Sequence, residues 1–417
     1  MMKKYLLPIL ALFAVSCADK FTPSSDIEDI KSDLITPTEA LSSLSDFVNG
    51  FNSVTTKSSD RFELDLVSIE AFGSKQLNKT KSSAFDLPDT LCYIANMTDG
   101  FAVLSANRQL EHDVYCVTEK GELHTEDFVH AMQLLNKADE IKGEDVVPAI
   151  LLSAIVNEYN RIETKSNSAG EDPGSDMNED GSYRTEEDLP NATLYGPFLK
   201  TKWANSYFAP FNTYTPNHTC PGCVAIAVAQ IMVCNRVSNT MTFNGVTCDW
   251  DDMESVYKYD GSYFTYSAKD QVANFVYEIG KEDNVHVRYD SGSWAMADGA
   301  KRTFSNYGYS NVTKRVGFAS GDRTAVRNQL TAHKPVYMGG CLPNTTTEGH
   351  AWVIDGLYGD YYHINWGWLG DCDGYFRIGT FITSSRSAID SEIDDYYNSS
   401  SADYSFTWTY RIVLYNL

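Results

Sequence analysis

A cysteine, a histidine and an asparagine stand in settings that suit nucleophilic catalysis. Cys223 follows Pro221-Gly222 and precedes a run of small and apolar residues that predicts a buried helix, with the cysteine in its first turn. There, the unpaired N–H groups and the positive end of the helix dipole favour thiolate over thiol. A buried, inert cysteine is the alternative, because free cysteine is among the most buried residue types.

Two segments farther along the chain offer partners for this thiol. Residues 349–356 predict a strand that begins near His350, and residues 361–368 predict a second strand after a glycine-containing turn. Paired as a hairpin, these strands bring His350 and Asn365 to the same end. His350 would then be the base for Cys223, while the Asn365 amide accepts from the far ring nitrogen and fixes the tautomer. The order Cys, His, Asn and its spacing match papain-type sites.

Longer motifs around these residues resemble the streptopain family of cysteine peptidases, papain-like enzymes made as zymogens. The resembling segments are Gly-Cys-Val-Ala-x-Ala-x-Ala-Gln-Ile-Met at 222–232, Gly-His-Ala-x-Val-Ile-Asp-Gly at 349–356 and the His-x-Asn-Trp-Gly-Trp segment that ends at Arg377, with Lys202-Trp203 and residues 334–337. The resemblance covers most of the chain after Pro190. It implies an α+β fold, in which a smaller α+β prodomain precedes a papain-like catalytic domain with a helical part and a twisted antiparallel sheet.

The resemblance also implies roles for individual residues. Cys223 would be the nucleophile, His350 the general acid and base, and Asn365 the residue that orients His350. Trp366 would shield the Asn–His hydrogen bond from water, with plain core packing as the alternative. Trp368 is expected in the core.

The oxyanion donor departs from the family pattern. Relatives usually carry glutamine two residues after the tryptophan that stands here as Trp203, whereas this chain has Asn205. Asparagine donates the same hydrogen bond from a shorter arm. Asn205 is therefore a candidate oxyanion donor, with an ordinary loop amide as the alternative.

Other conspicuous residues predict no metal or cofactor. Cys220 and Cys223 have the C-x-x-C spacing of metal and redox sites. A structural zinc site normally needs four ligands, and the sequence has no second such pair. Cys220 is thus expected to be a bystander or a regulatory thiol, and His363 to be structural.

The first residues predict export. A positively charged start at 1–4 precedes an apolar stretch at 5–15 that is too short to span a membrane. The stretch ends in Ala14-Val15-Ser16-Cys17, which looks like a bacterial lipoprotein cleavage site. Residues 1–17 would be a signal peptide and Cys17 the lipidated residue, with plain secretion as the alternative. Either way, the sequence indicates an exported bacterial protein on the cell envelope or outside the cell.

Composition fits an exported protein of two domains. A chain of 417 residues that is 43% hydrophobic has enough apolar material for two cores. The net charge of −23 argues against nucleic acid as a partner, because phosphates require a basic surface. The irregular spacing of the nine cysteines does not suggest a small disulfide framework. Membrane contact would come only through lipid on Cys17.

Residues 18–163 predict a separate α+β domain. A helix start at Thr36-Pro37 precedes apolar residues at helical spacing, and a hairpin turn follows at 98–100. Two further helical patterns cover 128–135 and 147–159. The hairpin region resembles the propeptide of the same family, and without that resemblance it would suggest an α+β binding module.

Residues 164–190 predict a flexible linker. The segment is rich in Asp, Glu and Gly, so it cannot bury enough apolar surface to offset the entropy of ordering. Lys165 and Arg184 are candidate activation sites, and an uncut spacer is the alternative. The catalytic domain would then span 191–417.

Together these features predict an exported cysteine endopeptidase made as a zymogen. Its partners would be protein or peptide substrates and its own prodomain, which would inhibit by covering the cleft or displacing His350. Two alternatives use the same chain differently: another Cys-His acyl transferase, such as a transamidase or cell-wall amidase, and a non-catalytic surface binding lipoprotein.

Overall fold

The computed structural model describes residues 33–57, 60–77, 87–110, 112–134, 143–167, 192–236, 241–257, 265–289, 292–318, 320–341, 349–381 and 408–417. The predicted signal peptide with Cys17 lies outside these ranges. The same holds for the linker after residue 167, including Arg184.

The N-terminal segment, defined here as residues 34–167, opens on a capped helix. Thr36 accepts a hydrogen bond from the backbone N–H of Glu39 at 3.3 Å, and the Glu39 carboxylate accepts from the backbone N–H of Thr36 at 2.9 Å. This reciprocal pair provides acceptors for two backbone N–H groups that have no partner within the helix. The elements are α1 (Pro37–Val54), β1 (Leu66–Phe72), α2 (Ser74–Leu77), β2 (Cys92–Met97), β3 (Phe101–Ser105), β4 (Val114–Thr118), α3 (Thr125–Leu134) and α4 (Val146–Asn167).

The helices and the hairpin predicted in this segment are confirmed, but α4 runs farther than expected. It continues to Asn167, so residues 164–167 are helical and not part of a flexible linker. The sequence there contains no glycine or proline before Gly170 to stop the helix. Lys165 consequently lies in the last turn of α4.

The C-terminal part, defined here as residues 192–417, alternates helices and strands. Its elements are β5 (Leu194–Tyr195), α5 (Cys223–Asn235), β6 (Met241–Phe243), β7 (Val246–Cys248), α6 (Trp250–Ser255), α7 (Tyr266–Gly280), α8 (Ala297–Asn306), β8 (Ser310–Val316), α9 (Ser320–Thr331), β9 (Val336–Cys341), β10 (Gly349–Tyr358), β11 (Tyr361–Asn365), β12 (Gly374–Arg377) and β13 (Thr409–Asn416). The predicted hairpin is formed by β10 and β11, with Tyr358 opposite Tyr361.

Eleven strands of the described residues form one antiparallel sheet. Its order is β1-β2-β3-β4-β12-β11-β10-β9-β13-β8, and β5 pairs with β10. The two parts of the chain meet where β4 pairs with β12, with Thr118 opposite Gly374 and Cys116 opposite Phe376. The sequence did not predict this continuous sheet.

Successive residues of the central strands face two different cores. Ala351 and Val353 pack with α5, α7 and α8, whereas Trp352 and Ile354 pack with residues of α3, α4 and α9. This alternation follows from the two-residue period of a strand. Ten of the thirteen residues of α5 are buried, which explains why the helix is apolar on every side.

The predicted α+β class, with helices against an antiparallel sheet, is confirmed. Among the described residues, no helix combines the length and apolarity needed to cross a bilayer.

Candidate active site

The start of α5 places Cys223 as predicted. Gly222 precedes it with φ +96°, and a Cβ at this glycine would lie 3.2 Å from a methyl carbon of Val287. Side chains rarely adopt this backbone conformation, so the turn into the helix requires glycine here. Cys223 follows as the first helical residue and is half-buried, and the backbone N–H groups of Val224 and Ala351 lie near enough to its sulfur to favour the thiolate.

The thiol form of Cys223 is nevertheless favoured in this structure. Burial raises the pKa of Cys223 to about 11, although the surrounding backbone N–H groups act in the opposite direction. The N–H groups at the helix start favour the thiolate as expected, but the effect of burial on the pKa is larger in this state. The physical reason is desolvation, which disfavours the charged form more strongly than the N–H groups favour it.

His350 lies on β10 and is only 8% exposed. Its Nε2 lies 2.7 Å from the backbone carbonyl oxygen of Trp366. Because a carbonyl oxygen only accepts, Nε2 carries a proton and Nδ1 of the neutral ring does not. Burial lowers the pKa of His350 to about 4, and the Trp366 carbonyl opposes this shift only in part. The ring is thus neutral at pH 7.

Three tryptophan rings surround the His350 imidazole. The ring centroid of Trp368 lies 4.7 Å away with nearly parallel planes, and those of Trp352 and Trp366 lie at 6.2 and 6.4 Å. Trp368 was expected in the core, but it is half-buried and stacks directly on the histidine. Trp366 is fully buried, and it contacts His350 through its carbonyl as well as its ring.

Asn365 does not accept the predicted hydrogen bond from His350. Its Oδ1 accepts from Nε2 of Gln230 at 3.0 Å and from the backbone N–H of Gly367 at 3.1 Å, which occupies both lone pairs. Its Nδ2 donates to the carbonyl of Thr201 at 3.2 Å. The predicted arrangement, with Trp366 shielding an Asn–His bond, is therefore replaced by a bond from His350 to Trp366 itself.

Strand alternation explains this correction. His350 shares the face of β10 that carries Trp352, whereas Asn365 lies opposite Val353 and reaches toward α5. The two residues lie near one end of the hairpin, as predicted, but on different faces of it. Among the hydrogen bonds of the described residues, none joins Cys223 to His350.

Gln230 is a site residue that the sequence reasoning missed. Its Nε2 donates to Asn365, and its amide oxygen accepts from the hydroxyl of Thr201 at 2.9 Å and from the backbone N–H of Trp203 at 3.0 Å. Gln230 is two helical turns beyond Cys223 and therefore on the same side of α5. A single glutamine within an apolar helix was the available signal, because a buried amide must find partners.

A hydrogen bond from Gly222 orients the side-chain amide of Asn205. The side-chain Oδ1 of Asn205 accepts from the backbone N–H of Gly222 at 2.8 Å. The backbone N–H of Asn205 donates to the carbonyl of Gly367 at 2.9 Å. Because Gly222 supplies a donor, the side-chain oxygen must face it and Nδ2 remains as a donor. Asn205 and Cys223 line the same narrow cavity, which is too small to admit a water molecule.

The middle of the chain matches a known family. Residues 203–376 match the model of the Peptidase C10 family. The predicted resemblance to the streptopain family is confirmed. Residues 203–376 are called the streptopain-family segment below, and they include Asn205, Cys223, Gln230, His350 and Asn365.

Two relatives each match a part of the chain. Streptopain of Streptococcus pyogenes is 27% identical over 191 residues, which cover 40% of this chain and 47% of that protein. The thiol protease/hemagglutinin PrtT of Porphyromonas gingivalis is 28% identical over 226 residues, which cover 46% of this chain and 25% of that protein. The chain thus matches about half, or less, of the length of these relatives.

A solved structure shows the same fold. The chain superposes on a fragment of Prevotella intermedia prointerpain A with a TM-score of 0.50 and 19% identity, covering 78% of this chain and 95% of that one. The match extends well beyond the streptopain-family segment, and it supports the papain-like fold expected from the sequence.

Cys220, the other cysteine of the C-x-x-C pair, is an unbridged thiol. Its sulfur lies 2.7 Å from the hydroxyl of Ser293 and is buried. The eight cysteines within the described residues are all free. The same residues contain no group of three or more side chains that could hold a metal ion.

Proposed function

We propose that this protein is an exported cysteine endopeptidase, made as a zymogen, that hydrolyses peptide bonds through a Cys223 acyl-enzyme. The observation that carries the proposal is the position of Cys223. It begins a buried helix, it lines one cavity together with Asn205 and with Ala351, the neighbour of His350, and all of these residues lie within the streptopain-family segment.

The chemistry assigns each group a step. His350 takes the proton of Cys223, and Nδ1 is the nitrogen available for it because Nε2 is held on the Trp366 carbonyl. The sulfur attacks the peptide carbonyl, and His350 returns the proton to the leaving amine. Water, activated by His350, then releases the acyl group. The backbone N–H of Cys223 and Nδ2 of Asn205 stabilise the negative oxygen of each tetrahedral intermediate.

Asn365 is proposed to position His350 indirectly. By accepting from the N–H of Gly367, it fixes the corner of chain that carries the Trp366 carbonyl, and that carbonyl holds the histidine ring. Trp366 and Trp368 flank the ring and keep water from this hydrogen bond.

The structure has features of a resting zymogen, which supports this part of the proposal. At pH 7 both reacting groups are neutral, His350 faces the tryptophans and the cavity beside Cys223 is too small for a water molecule. Activation would bring Nδ1 of His350 and the sulfur within reach of each other, with Nε2 still on the Trp366 carbonyl, and would open the cavity. The N-terminal segment would maintain the resting state, and a signal peptide with lipid on Cys17, or plain secretion, would export the chain.

Active-site labelling tests the function. The protein is processed by limited proteolysis, treated with the thiol reagent E-64 and mapped by mass spectrometry. We expect the label on Cys223 and cleavage of casein that Cys223→Ala abolishes. A labelled Cys223 without casein cleavage, but with product formed from an added amine or from peptidoglycan, would replace the peptidase by another acyl transferase. An inert Cys223 would favour a binding protein.

A further inference from the structure

The boundary between the N-terminal segment and the C-terminal part is built like the interior of one domain. Strand β4 supplies the neighbour of β12, so the sheet runs across the boundary without a break. Tyr375 and Phe376 of β12 are fully buried, one on each face of the sheet. Without β4, this strand would present an open edge with unpaired backbone groups.

Aromatic side chains from both parts pack together on one face. Phe47 of α1 lies 4.8 Å from Tyr361 and 5.7 Å from Tyr358, measured between ring centroids. Phe51 lies 4.9 Å from Tyr375. Edge-to-face contacts of this kind are typical of a hydrophobic core, so the boundary excludes water here.

Hydrogen bonds also cross the boundary. The backbone N–H of Glu119 donates to the carbonyl of Asp373 at 2.7 Å, and the hydroxyl of Tyr361 donates to the carbonyl of Val114 at 3.0 Å. On the other face, the indole N–H of Trp408 donates to Ser153 of α4 at 3.3 Å.

A buried ionic contact adds specificity. The wholly buried ring of His363 lies with Nδ1 2.6 Å from Asp355 and with Nε2 3.2 Å from the carboxylate of Glu119. With a carboxylate at each nitrogen, both nitrogens donate and the ring is an imidazolium. Burial would lower the pKa of His363, but Asp355 and Glu119 raise it well above its usual value. Lys202 is a further cation near Glu119.

This contact assigns His363 a role beyond a plain structural one. Asp355 belongs to the same part of the chain as His363, whereas Glu119 comes from the N-terminal segment. Removal of that segment would leave Nε2 of a buried imidazolium without this carboxylate. Buried charges are stable only when they are paired. The carboxylate of Glu119 therefore stabilises the association of the N-terminal segment with the C-terminal part.

We propose that cutting the linker does not release the N-terminal segment. Residues 34–167 remain bound to the C-terminal part as a separate chain through β4, the shared aromatic core and the ionic anchor from Glu119 to His363. Insofar as the proposed peptidase function holds, linker cleavage alone is then insufficient for activation, and the segment itself must be degraded or displaced.

A cut-linker experiment tests retention without using catalysis. The full chain carries Cys223→Ala, to prevent self-cleavage, and a recognition site for a specific protease inserted between residues 170 and 188. After complete cutting, size-exclusion chromatography under native conditions should elute both pieces together, and denaturant should separate them. Separation of the two pieces under native conditions would overturn the proposal, whether or not the protein is a peptidase.

The anchor has its own test in the same cut protein. Glu119→Gln keeps the size of the side chain but removes its charge, and Glu122→Gln is the control because Glu122 is 78% exposed. We expect the first change to raise the dissociation rate of the segment at least about tenfold and the second to leave it unchanged. Circular dichroism of the uncut variants checks folding. Equal dissociation rates for the two variants would exclude the anchor.

Discussion

At the residue scale, burial decides the protonation state of both reacting groups. The pKa of Cys223 is raised to about 11 and that of His350 is lowered to about 4, in each case mainly by removal from water. A thiolate–imidazolium pair requires the reverse order of the two values. Activation must therefore hydrate these groups or bring them together. Either change lowers the pKa of Cys223 and raises that of His350, which favours the ion pair.

The full-length protein should show the raised pKa of Cys223 in its reaction with iodoacetamide. Below this pKa the thiolate fraction grows tenfold per pH unit, so the labelling rate at Cys223 should rise about tenfold per unit between pH 7 and 9. Mass spectrometry identifies the labelled site, and Cys223→Ala provides the blank. A rate that is constant from pH 6 to 8 would mean that the thiolate already exists before processing.

Gln230 should matter for catalysis although it touches no substrate. Gln230→Ala leaves Asn365, Thr201 and the N–H of Trp203 without their shared partner, so the corner that carries the Trp366 carbonyl shifts. We expect kcat/KM of the processed protein toward casein-derived peptides to fall about ten- to a hundredfold.

The matched control for Gln230 is Gln271→Ala. Gln271 is also a buried glutamine, but it lies on α7 and bonds to Asp249 and Asp252 away from the site. Both variants should lose a similar amount of stability, about 1–3 kcal/mol, because buried partners are left unsatisfied. A similar loss of kcat/KM in both variants would show that Gln230 acts only through stability and does not position the active site.

At the element scale, local signals predicted the elements that carry the site. The capping residues at Thr36, the glycine before Cys223 and the turn between β10 and β11 each specify structure within a few residues, and each of these elements formed. The pairing of Asn365 depends instead on Gln230, which is far away in sequence. The hydrogen bond of His350 to the Trp366 carbonyl likewise depends on which strand face each residue takes, so sequence alone favoured the wrong partner.

The entry into α5 should depend on Gly222. Gly222→Ala places a Cβ in a backbone conformation reserved for glycine and within 3.2 Å of Val287. We expect a loss of about 1–3 kcal/mol in the free energy of unfolding, together with slower labelling of Cys223 after processing.

Gly321→Ala is the control for this change. Gly321 lies in α9 with open space around its Cβ position, so alanine there should be neutral or slightly stabilising. Thermal unfolding compares the two variants. Equal melting temperatures would contradict the strain assigned to position 222.

At the scale of the whole molecule, one sheet joins two parts that the sequence predicted as separate domains. Composition identified the acidic linker between them, but pairing of β4 with β12 joins residues more than two hundred positions apart, which no local pattern specifies. The result is an N-terminal segment that shares cores, strands and an ion pair with the C-terminal part. None of the described residues of this segment lines the small cavity beside Cys223.

Casein cleavage before and after processing tests whether the protein is a peptidase zymogen that depends on Cys223. Full-length protein, protein digested until the N-terminal segment is gone, and digested Cys223→Ala are compared at equal concentration. We expect little cleavage by the full-length protein, rapid cleavage by the digested protein and none above background by digested Cys223→Ala. Equal activity of full-length and digested protein would contradict the zymogen, and cleavage by digested Cys223→Ala would contradict the assignment of the nucleophile.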